Sequence, residues 1–381
     1  MLLWLGCALL LVHILIGLEV VRGARRIDFL RDIPPSAGEE LPTVSLIAAA
    51  RDEERNLQAA LESLLALDYP ALQLILVNDR SRDLTGQILD TLAARDPRLE
   101  VVHLQELPAG WLGKNHALWE GSRRARGDLL LFTDADVLMA PDTLRRAVHY
   151  VQRHDLDHLA ATPETRMSGR FLNLLAASFG FFLGLFTRPW LADDPRSACH
   201  IGIGAFNLVR AAAYRDSGGH QRIALRPDDD LKLGKILKQQ GYRQRLIYGD
   251  GFIGVEWYAS VREMVVGLEK NVFAGFDYQP WRVLGAVLFL VGVVVWPYLA
   301  LFLTSGATLG VYAVGVILLS LIVADGLRLH GYRPWQALGF APAAGLLAFI
   351  FLRAMILNLV RGGITWRGTF YPLDELRRNR V

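Results

Sequence analysis

The sequence predicts an α/β protein with a mostly parallel β-sheet and transmembrane helices at both ends. Between residues 40 and 250, short apolar stretches alternate with amphipathic helical patterns, which is typical of a parallel sheet covered by helices. Apolar segments of about 20 residues, the length that crosses a bilayer, stand before and after this region. Hydrophobic residues make up 52% of the 381 residues, above the roughly 45–50% of soluble domains.

Charge and cysteine content exclude several classes of protein. The 41 basic and 38 acidic residues nearly balance at a net charge of +3, and no basic stripe is interleaved with aromatic residues, so we expect no nucleic-acid partner. The two cysteines, Cys7 and Cys199, exclude a disulfide framework and CxxC metal sites. A reducing, cytosol-facing compartment is the natural default for such a chain.

The first apolar segment, Leu2 to Val21, predicts a retained transmembrane anchor at residues 1–22. It lacks the basic region and the small-residue cleavage site of a signal peptide. Arg22, Arg25 and Arg26 follow at once. Because positive charge favours the cytoplasmic side, we expect the N-terminus outside and the next domain in the cytoplasm, at the inner (plasma) membrane.

Three further apolar segments lie within residues 283–360: Val283 to Leu303, Leu309 to Leu327, and Ala337 to Val360. If all three cross the membrane, the basic tail at 361–381 ends outside, against the charge rule. Pro342 and Arg353 make the last segment the weakest of the three, so a re-entrant or interfacial course stays open for it. The sequence predicts a multi-pass protein but leaves the side of its tail open.

Two shorter apolar stretches allow two interpretations each. Phe171 to Phe186 is either a buried core helix or a membrane-facing element near the active site. The segment 251–280 contains an amphipathic pattern from Trp257 to Phe273, which predicts one helix in the membrane interface or, alternatively, one covering the sheet. Residues 40–250 between the apolar ends read as the globular domain.

The alternation within the globular domain assigns its elements. The predicted strands are Val44–Ala50, Leu72–Val77, Leu99–Leu104 and Asp128–Phe132. The predicted helices run from Leu57 to Leu65, from Thr85 to Ala94, from His116 to Arg126, and from Leu231 to near Gly241.

Four acidic residues follow predicted strands: Asp52, Asp79, Asp134 and Asp136. Ligands of parallel sheets bind at these carboxyl ends. Residues two apart in an extended chain point to the same side, so Asp134 and Asp136 can converge on Mg²⁺ or Mn²⁺ that still carries substrate phosphates. This favours an enzyme acting on a phosphate-bearing substrate at a membrane. Singly, Asp52 and Asp79 could instead cap helices, and Asp-Ala-Asp could be an ordinary acidic turn.

Two further motifs supply groups that such chemistry needs. Lys114 lies in a Gly-containing loop and offers a cation for a diphosphate, although a solvated lysine is the ordinary alternative. Asp228–Asp230 precede a helix, where acids favourably meet the helix dipole. Three acids exceed what capping needs, and their mutual repulsion or burial could raise one pKa toward that of a useful base.

Together these motifs resemble the family 2 glycosyltransferases, inverting enzymes with a nucleotide-diphospho-sugar-binding (GT-A) fold, over roughly Pro42 to Gly249. The motifs that carry the resemblance are Ala50–Glu53, Val77–Thr85, Gly113–Asn115, Thr133–Asp136, and Asp229–Asp230 with the helix leading to Gly241–Arg243.

The resemblance implies a role for each matched residue. Asp52, Glu53 and Asp79 would hold the base and ribose of the nucleotide, and Lys114 would approach the diphosphate. Asp134 and Asp136 would bind the diphosphate, Asp136 mainly through Mg²⁺ or Mn²⁺. Asp230 would be the general base and Asp229 the acid before it, with a register that is open by one position.

A narrower resemblance is to membrane-bound bacterial carotenoid glucosyltransferases of the hydroxychlorobactene type. It rests on His200–Leu208, Asp229–Asp230 with Lys232–Lys235, and Trp366–Leu373, which looks functional and could close the site. The Q-x-x-R-W motif of processive synthases is absent between Gly241 and Trp281.

This resemblance implies transfer of a hexose from a nucleotide-diphosphate sugar, UDP-hexose above all, to a lipid or isoprenoid hydroxyl at the membrane. A processive polysaccharide synthase and a non-catalytic membrane protein with a degenerate transferase domain are the alternatives. Intact Asp79, Asp134, Asp136 and Asp230 argue against the non-catalytic alternative.

Overall fold

The computed structural model describes residues 1–36, 41–165, 167 and 169–381. The predicted domain start at residue 40 lies outside these residues. The chain forms two compact units. The sheet unit comprises Ile27–Arg166, Pro189–Glu256 and Arg378–Val381, and the helical unit comprises Met1–Arg26, Met167–Arg188 and Trp257–Arg377.

The strands, in chain order, are β1 Val44–Ala50, β2 Leu72–Asp79, β3 Leu99–Leu104, β4 Leu129–Asp134, β5 Leu138–Met139, β6 His158–Thr162, β7 Glu164–Thr165, β8 Asn207–Arg210, β9 Gln244–Tyr248, β10 Ile253–Val255, β11 Gly363–Trp366 and β12 Thr369–Pro372.

The helices are α1 Leu2–Ala24, α2 Leu57–Leu65, α3 Thr85–Ala93, α4 Gly113–Ser122, α5 Thr143–His154, α6 Arg170–Thr187, α7 Ala211–Asp216, α8 Gly219–Arg222, α9 Asp229–Gln239, α10 Val261–Gly267, α11 Glu269–Gly275, α12 Pro280–Phe289, α13 Trp296–Leu303, α14 Gly306–Leu329, α15 Phe340–Arg361 and α16 Leu373–Arg378. A π-helical stretch, Leu290–Val295, joins α12 to α13.

The sheet unit is built on a seven-stranded sheet of order β3-β2-β1-β4-β8-β6-β9. Neighbouring strands run parallel except at β8, which is antiparallel to both β4 and β6. Alternate residues of one strand, such as Leu46 and Ile47, enter two different apolar cores, because both faces of the sheet are covered. The prediction of an α/β fold with a mostly parallel sheet is confirmed.

The strand register brings the acidic loops to one edge of the sheet. Ala50 at the end of β1 pairs with Asn78 of β2, and Ala49 pairs with Asp134 at the end of β4. The strand order reverses beside β1, between β2 and β4, which is where open α/β sheets bind their ligands.

Two predicted elements differ from the structure. The helix predicted from His116 begins earlier, at Gly113, and ends at Ser122, so Lys114 lies in its first turn rather than in a loop. The single amphipathic helix predicted from Trp257 to Phe273 is wrong, since α10 and α11 are separated at Leu268. Glycine favours such a break, and Gly267 packs against the ring of Tyr258, where a Cβ would lie 2.5 Å from a ring carbon.

The helical unit contains closely packed apolar helices. Gly6 and Gly17 of α1 face Tyr312 and Ile322 of α14, since small residues let helix backbones approach closely. Within the part of the chain that the structure describes, five helical segments are long and apolar enough to cross a membrane, which marks the chain as a membrane protein. They are Leu2–Ala24, Arg170–Leu191, Pro280–Leu303, Gly306–Leu329 and Pro334–Arg361.

Candidate active site

Lys114 lies at the centre of the acidic edge. Its Nζ is 2.8 Å from Asp134 Oδ1 and 3.4 Å from Asp229 Oδ1. Burial alone would lower the pKa of Lys114, but the carboxylates of Asp134, Asp229 and Asp230 outweigh burial and raise it, so the ammonium stays charged. A small pocket opens here, lined among others by Lys114, Asp134, Gly204, Asn207, Asp229 and Asp230.

The three acids of the Asp228–Asp230 run have different partners. Asp228 is buried and receives a bidentate pair of hydrogen bonds from Arg226, both 2.8 Å long. Asp229 faces Lys114 and the ring of His220, whose Nε2 lies 3.8 Å from Asp229 Oδ2. Burial opposes ionisation of Asp229, but Lys114 and His220 lower its pKa below the usual value.

Asp230 is the least compensated acid of the three. Burial and the nearby charge of Asp229 raise the pKa of Asp230 to about 7, against the opposing effect of Lys114. One of its oxygens accepts a 2.8 Å hydrogen bond from the backbone N–H of Leu231. A carboxyl with this pKa in a pocket can exchange a proton near neutral pH.

Asp136 shares this property. Burial, followed by the charges of Asp134 and Glu53, raises the pKa of Asp136 to about 7. Its negative charge therefore lacks sufficient compensation within the protein, and a bound cation would supply it.

The donor set at this position fits a divalent ion that also binds substrate. Within the described ranges no group of three or more His, Cys, Asp or Glu side chains could hold a metal by itself. If a divalent ion binds here together with substrate, Asp134 and Asp136 would provide two carboxylate ligands, leaving the other positions to phosphate oxygens and water, as Mg²⁺ prefers.

Asp79, at the end of β2, is enclosed by cations. Its carboxylate accepts hydrogen bonds of 2.7 and 3.1 Å from Arg80, and Arg51 Nη1 lies 3.6 Å away. The absent side chain of Gly113 makes room for it, since a Cβ there would lie 2.3 Å from Asp79 Oδ2. Asp79 is only 3% exposed, so in this structure it holds the two arginines in place at the edge of the site.

Asp52 and Glu53 lie where the loop after β1 contacts the loop after β2. Asp52 has a positive φ of 54° and accepts a 2.8 Å hydrogen bond from the backbone N–H of Arg82. The backbone N–H of Glu53 donates to Thr85 Oγ1 at 2.9 Å, and its side chain acts electrostatically on Asp136. Asp52 thus ties the two loops together, while Glu53 contributes negative charge beside Asp136.

The structure adds residues that sequence reasoning did not place in the site. Gly202 lies against the backbone of Asp230, since a Cβ on Gly202 would lie only 1.9 Å from the carbonyl oxygen of Asp230. A Cβ on Gly204 would lie 2.8 Å from Asp134 Oδ2. Asn207 Nδ2 is 3.5 Å from the same carbonyl of Asp230. The His200–Leu208 motif contains these three residues, but as a sequence pattern it indicates the narrower resemblance and not a place in the site.

Comparison with known proteins agrees with this geometry. Residues 42–249 match the model of the family described as "Glycosyltransferase like family 2". A 4,4'-diaponeurosporenoate glycosyltransferase of Staphylococcus haemolyticus is 24% identical over 74% of this chain and 76% of its own length. A β-monoglucosyldiacylglycerol synthase of Synechocystis is 38% identical over 29% of this chain and 23% of its own length. The name of the first relative matches the predicted resemblance to carotenoid-type glycosyltransferases.

A solved structure confirms the predicted fold. The mannosyltransferase PcManGT from Pyrobaculum calidifontis, determined with GDP-Man and Mn²⁺, superposes with a TM-score of 0.52 at 18% identity, covering 94% of this chain and 99% of its own. The likeness shows the GT-A fold. With a family match over more than half of the residues, the chain belongs to the glycosyltransferase-like family 2 and is a transferase enzyme.

Proposed function

We propose that this enzyme is an inverting glycosyltransferase that moves a hexose from a nucleotide-diphosphate sugar, UDP-hexose first, to a lipid or isoprenoid hydroxyl. The observation that carries the proposal is the arrangement around Lys114, which stands between Asp134 and Asp229 and beside an uncompensated Asp230. A cation, the first acid of the proposed metal-binding pair and a carboxyl with a pKa near neutrality, namely Lys114, Asp134 and Asp230, line one pocket.

Lys114, Asp134 and Asp136 would bind the diphosphate of the sugar donor. Lys114 keeps its charge and can pair with the diphosphate, for which it would exchange its contact with Asp134. Asp134 and Asp136 would hold Mg²⁺ or Mn²⁺, which when bound neutralises charge on the diphosphate leaving group. Asp52, Glu53 and Asp79 would border the nucleotide, with Arg51 and Arg80 supplying positive charge there.

The acceptor end falls to Asp230. In-line attack by a hydroxyl on the anomeric carbon requires removal of the hydroxyl proton, and a carboxylate with a pKa of about 7 can accept it. Asp228 is occupied by Arg226 and Asp229 by Lys114 and His220, which favours Asp230 as the base. We therefore propose Asp230, and not Asp229, as the base, a register that the sequence leaves open by one position.

The acceptor class follows from the relatives and the apolar helices. The names of the two relatives refer to 4,4'-diaponeurosporenoate and to β-monoglucosyldiacylglycerol, both of which are lipidic. The apolar helices, which are long enough to cross a bilayer, would keep the present enzyme where such acceptors dissolve. We place the sheet unit in the cytoplasm, where nucleotide sugars are available.

The chain segments that make up each unit restrict the membrane topology. The residues before and after α6 both belong to the sheet unit, so one crossing by α6 would divide that unit between two sides of the membrane. Residues up to Glu256 and from Arg378 also share this unit, which requires an even number of crossings between them. We propose that Pro280–Leu303 and Gly306–Leu329 cross, while α6 and Pro334–Arg361 do not cross fully.

Pro334–Arg361 has features that suit a helix that does not cross the membrane completely. Half of its most apolar stretch is buried within the protein, against 28% for each of the other two. Its Arg353 forms a 2.6 Å ion pair with Glu269 of α11, so the charge that makes it a poor span is compensated.

The test is a transfer assay with detergent-purified protein. UDP-, GDP- and dTDP-sugars are offered with Mg²⁺ or Mn²⁺ and a host lipid extract, and products are identified by mass spectrometry. We expect one donor to yield a monoglycosylated lipid in wild type, and Asp230→Asn to bind that donor without transfer. Asp90→Asn, a change on the exposed face of α3, serves as the matched control.

Other outcomes overturn parts of the proposal. A polymeric product would establish a polysaccharide synthase instead. Turnover by Asp230→Asn together with inactivity of Asp229→Asn would move the base by one position. Absence of donor binding by folded wild-type protein with metal present would favour a non-catalytic membrane protein.

A further inference from the structure

Four residues that follow the apolar helices in the chain belong to the sheet unit. In the segment Arg378–Val381, the side-chain amide of Asn379 makes two hydrogen bonds to one turn of backbone. Its Nδ2 donates to the carbonyl oxygen of Arg222 at 2.8 Å, and its Oδ1 accepts from the N–H of Leu225 at 2.9 Å. Val381 packs on the apolar core beneath, and its carbonyl oxygen accepts a hydrogen bond from Lys235 of α9.

The same turn is held from its other side by residues flanking Lys114. The N–H of Leu112 donates to the carbonyl of Ala224 at 2.8 Å. Asn115, which is fully buried, donates from Nδ2 to the carbonyls of Ile223 at 2.7 Å and Arg226 at 2.9 Å. The position of the α4 N-terminus therefore depends on the 222–226 backbone.

The turn leads directly into the acidic run. Arg226 ends the turn and forms the buried bidentate pair with Asp228, after which α9 begins at Asp229. Backbone 222–226 thus connects the element that carries Lys114 to the element that carries Asp229 and Asp230. A shift of the turn would move the cation and the acids relative to each other.

We propose that Asn379 and Val381 form a clamp that positions the active site, with Asn379 as its positioning residue. Asn379 touches no reacting group. It fixes the 222–226 turn by replacing water at two backbone groups, and the turn fixes Lys114 against Asp229 and Asp230. The proposal rests on the glycosyl transfer proposed above.

The test compares full-length Asn379→Ala with Arg378→Ala in detergent. Arg378 is exposed, and no side-chain contact is described for it, so Arg378→Ala is a matched change in the same segment. With UDP-glucose, or the panel donor that wild type uses, we expect Asn379→Ala to lower kcat/KM about tenfold, because two hydrogen bonds are lost. Titration with that donor should still show one binding site per chain, and Arg378→Ala should match wild type.

The stoichiometry separates positioning from loss of folded protein. A merely structural role would reduce the number of donor sites per chain while the remaining sites turn over normally, and that result would overturn the proposal. If Asn379→Ala does not accumulate, Asn379→Asp keeps the acceptor for Leu225, whereas a carboxylate oxygen replaces the donor that faces the Arg222 carbonyl. Normal kcat/KM in that variant overturns the proposal equally, whereas inactivity of wild type refutes the proposed function instead.

Discussion

Glycosyl transfer should be lost as the pH falls below about 7, because two carboxyls of the site have raised pKa values. Burial is the first cause at both, and the pKa is about 7 for Asp136 and about 7 for Asp230. Each must be ionised in the proposed reaction, Asp136 to hold the divalent ion and Asp230 to accept the proton of the acceptor hydroxyl. Activity should therefore be present above pH 7 and be lost as the pH falls through it.

The number of bound protons that lower kcat/KM should depend on the metal concentration. Two units below a pKa, about one carboxyl in a hundred is ionised, so at pH 5 two independent groups would lower kcat/KM by about 10⁴. A saturating cation competes with the proton at Asp136. One proton then remains in control, and the expected fall is about 10².

The assay is kcat/KM for the donor, measured with a hydroxyl acceptor from pH 5 to 8.5. At limiting Mg²⁺ the logarithm should rise with a slope near two below neutrality, and at saturating Mg²⁺ with a slope near one. Asp90→Asn should give the wild-type profile. A slope that does not change with Mg²⁺ would show that the second proton does not bind at the metal position, and a flat profile would refute both assignments.

Three other changes test separate features. Arg226→Met removes the bidentate partner of buried Asp228, which keeps Lys232 Nζ at 3.6 Å, and should lower the free energy of unfolding by about 3 kcal/mol in urea denaturation; an unchanged free energy of unfolding would contradict the role of the Arg226–Asp228 pair. Gly204→Val should reduce turnover by about 10² or more with an unchanged melting temperature, since its Cβ would lie 2.8 Å from the first carboxylate of the Asp-Ala-Asp motif; near-normal turnover would contradict the crowding. Arg378→Cys should react with an impermeant maleimide from the same side of the membrane as native Cys199, and labelling from opposite sides would refute the even number of crossings.

Local patterns were sufficient to predict the strands that carry the site. β1 and β3 coincide with their predicted bounds, because a continuous apolar run between turn residues identifies a buried strand. The Asp-Ala-Asp motif at the end of β4 and Lys114 are brought together as the strand order requires. These features depend on neighbours in the sequence or on the general rule for parallel sheets.

Pairings between distant segments could not be read in the same way. No local pattern indicates that β8 enters the sheet antiparallel between β4 and β6. Nor does one indicate that the chain leaves the sheet unit to form α6 and then returns to the sheet unit. Asp229 differs from its two neighbours chiefly through Lys114, which is more than a hundred positions away. Periodicity carries no information about such contacts.

The clamp also has a consequence for the order of synthesis. Asn379 is translated 149 positions after Asp230, and all of the apolar helices are made before it. At about 5–20 residues per second, synthesis of Asn379, which fixes the 222–226 turn, follows that of Asp228–Asp230 by roughly 7–30 s. Under the clamp proposal, a nascent chain therefore acquires full transferase activity only after its membrane helices have been delivered to the bilayer where its acceptor is dissolved.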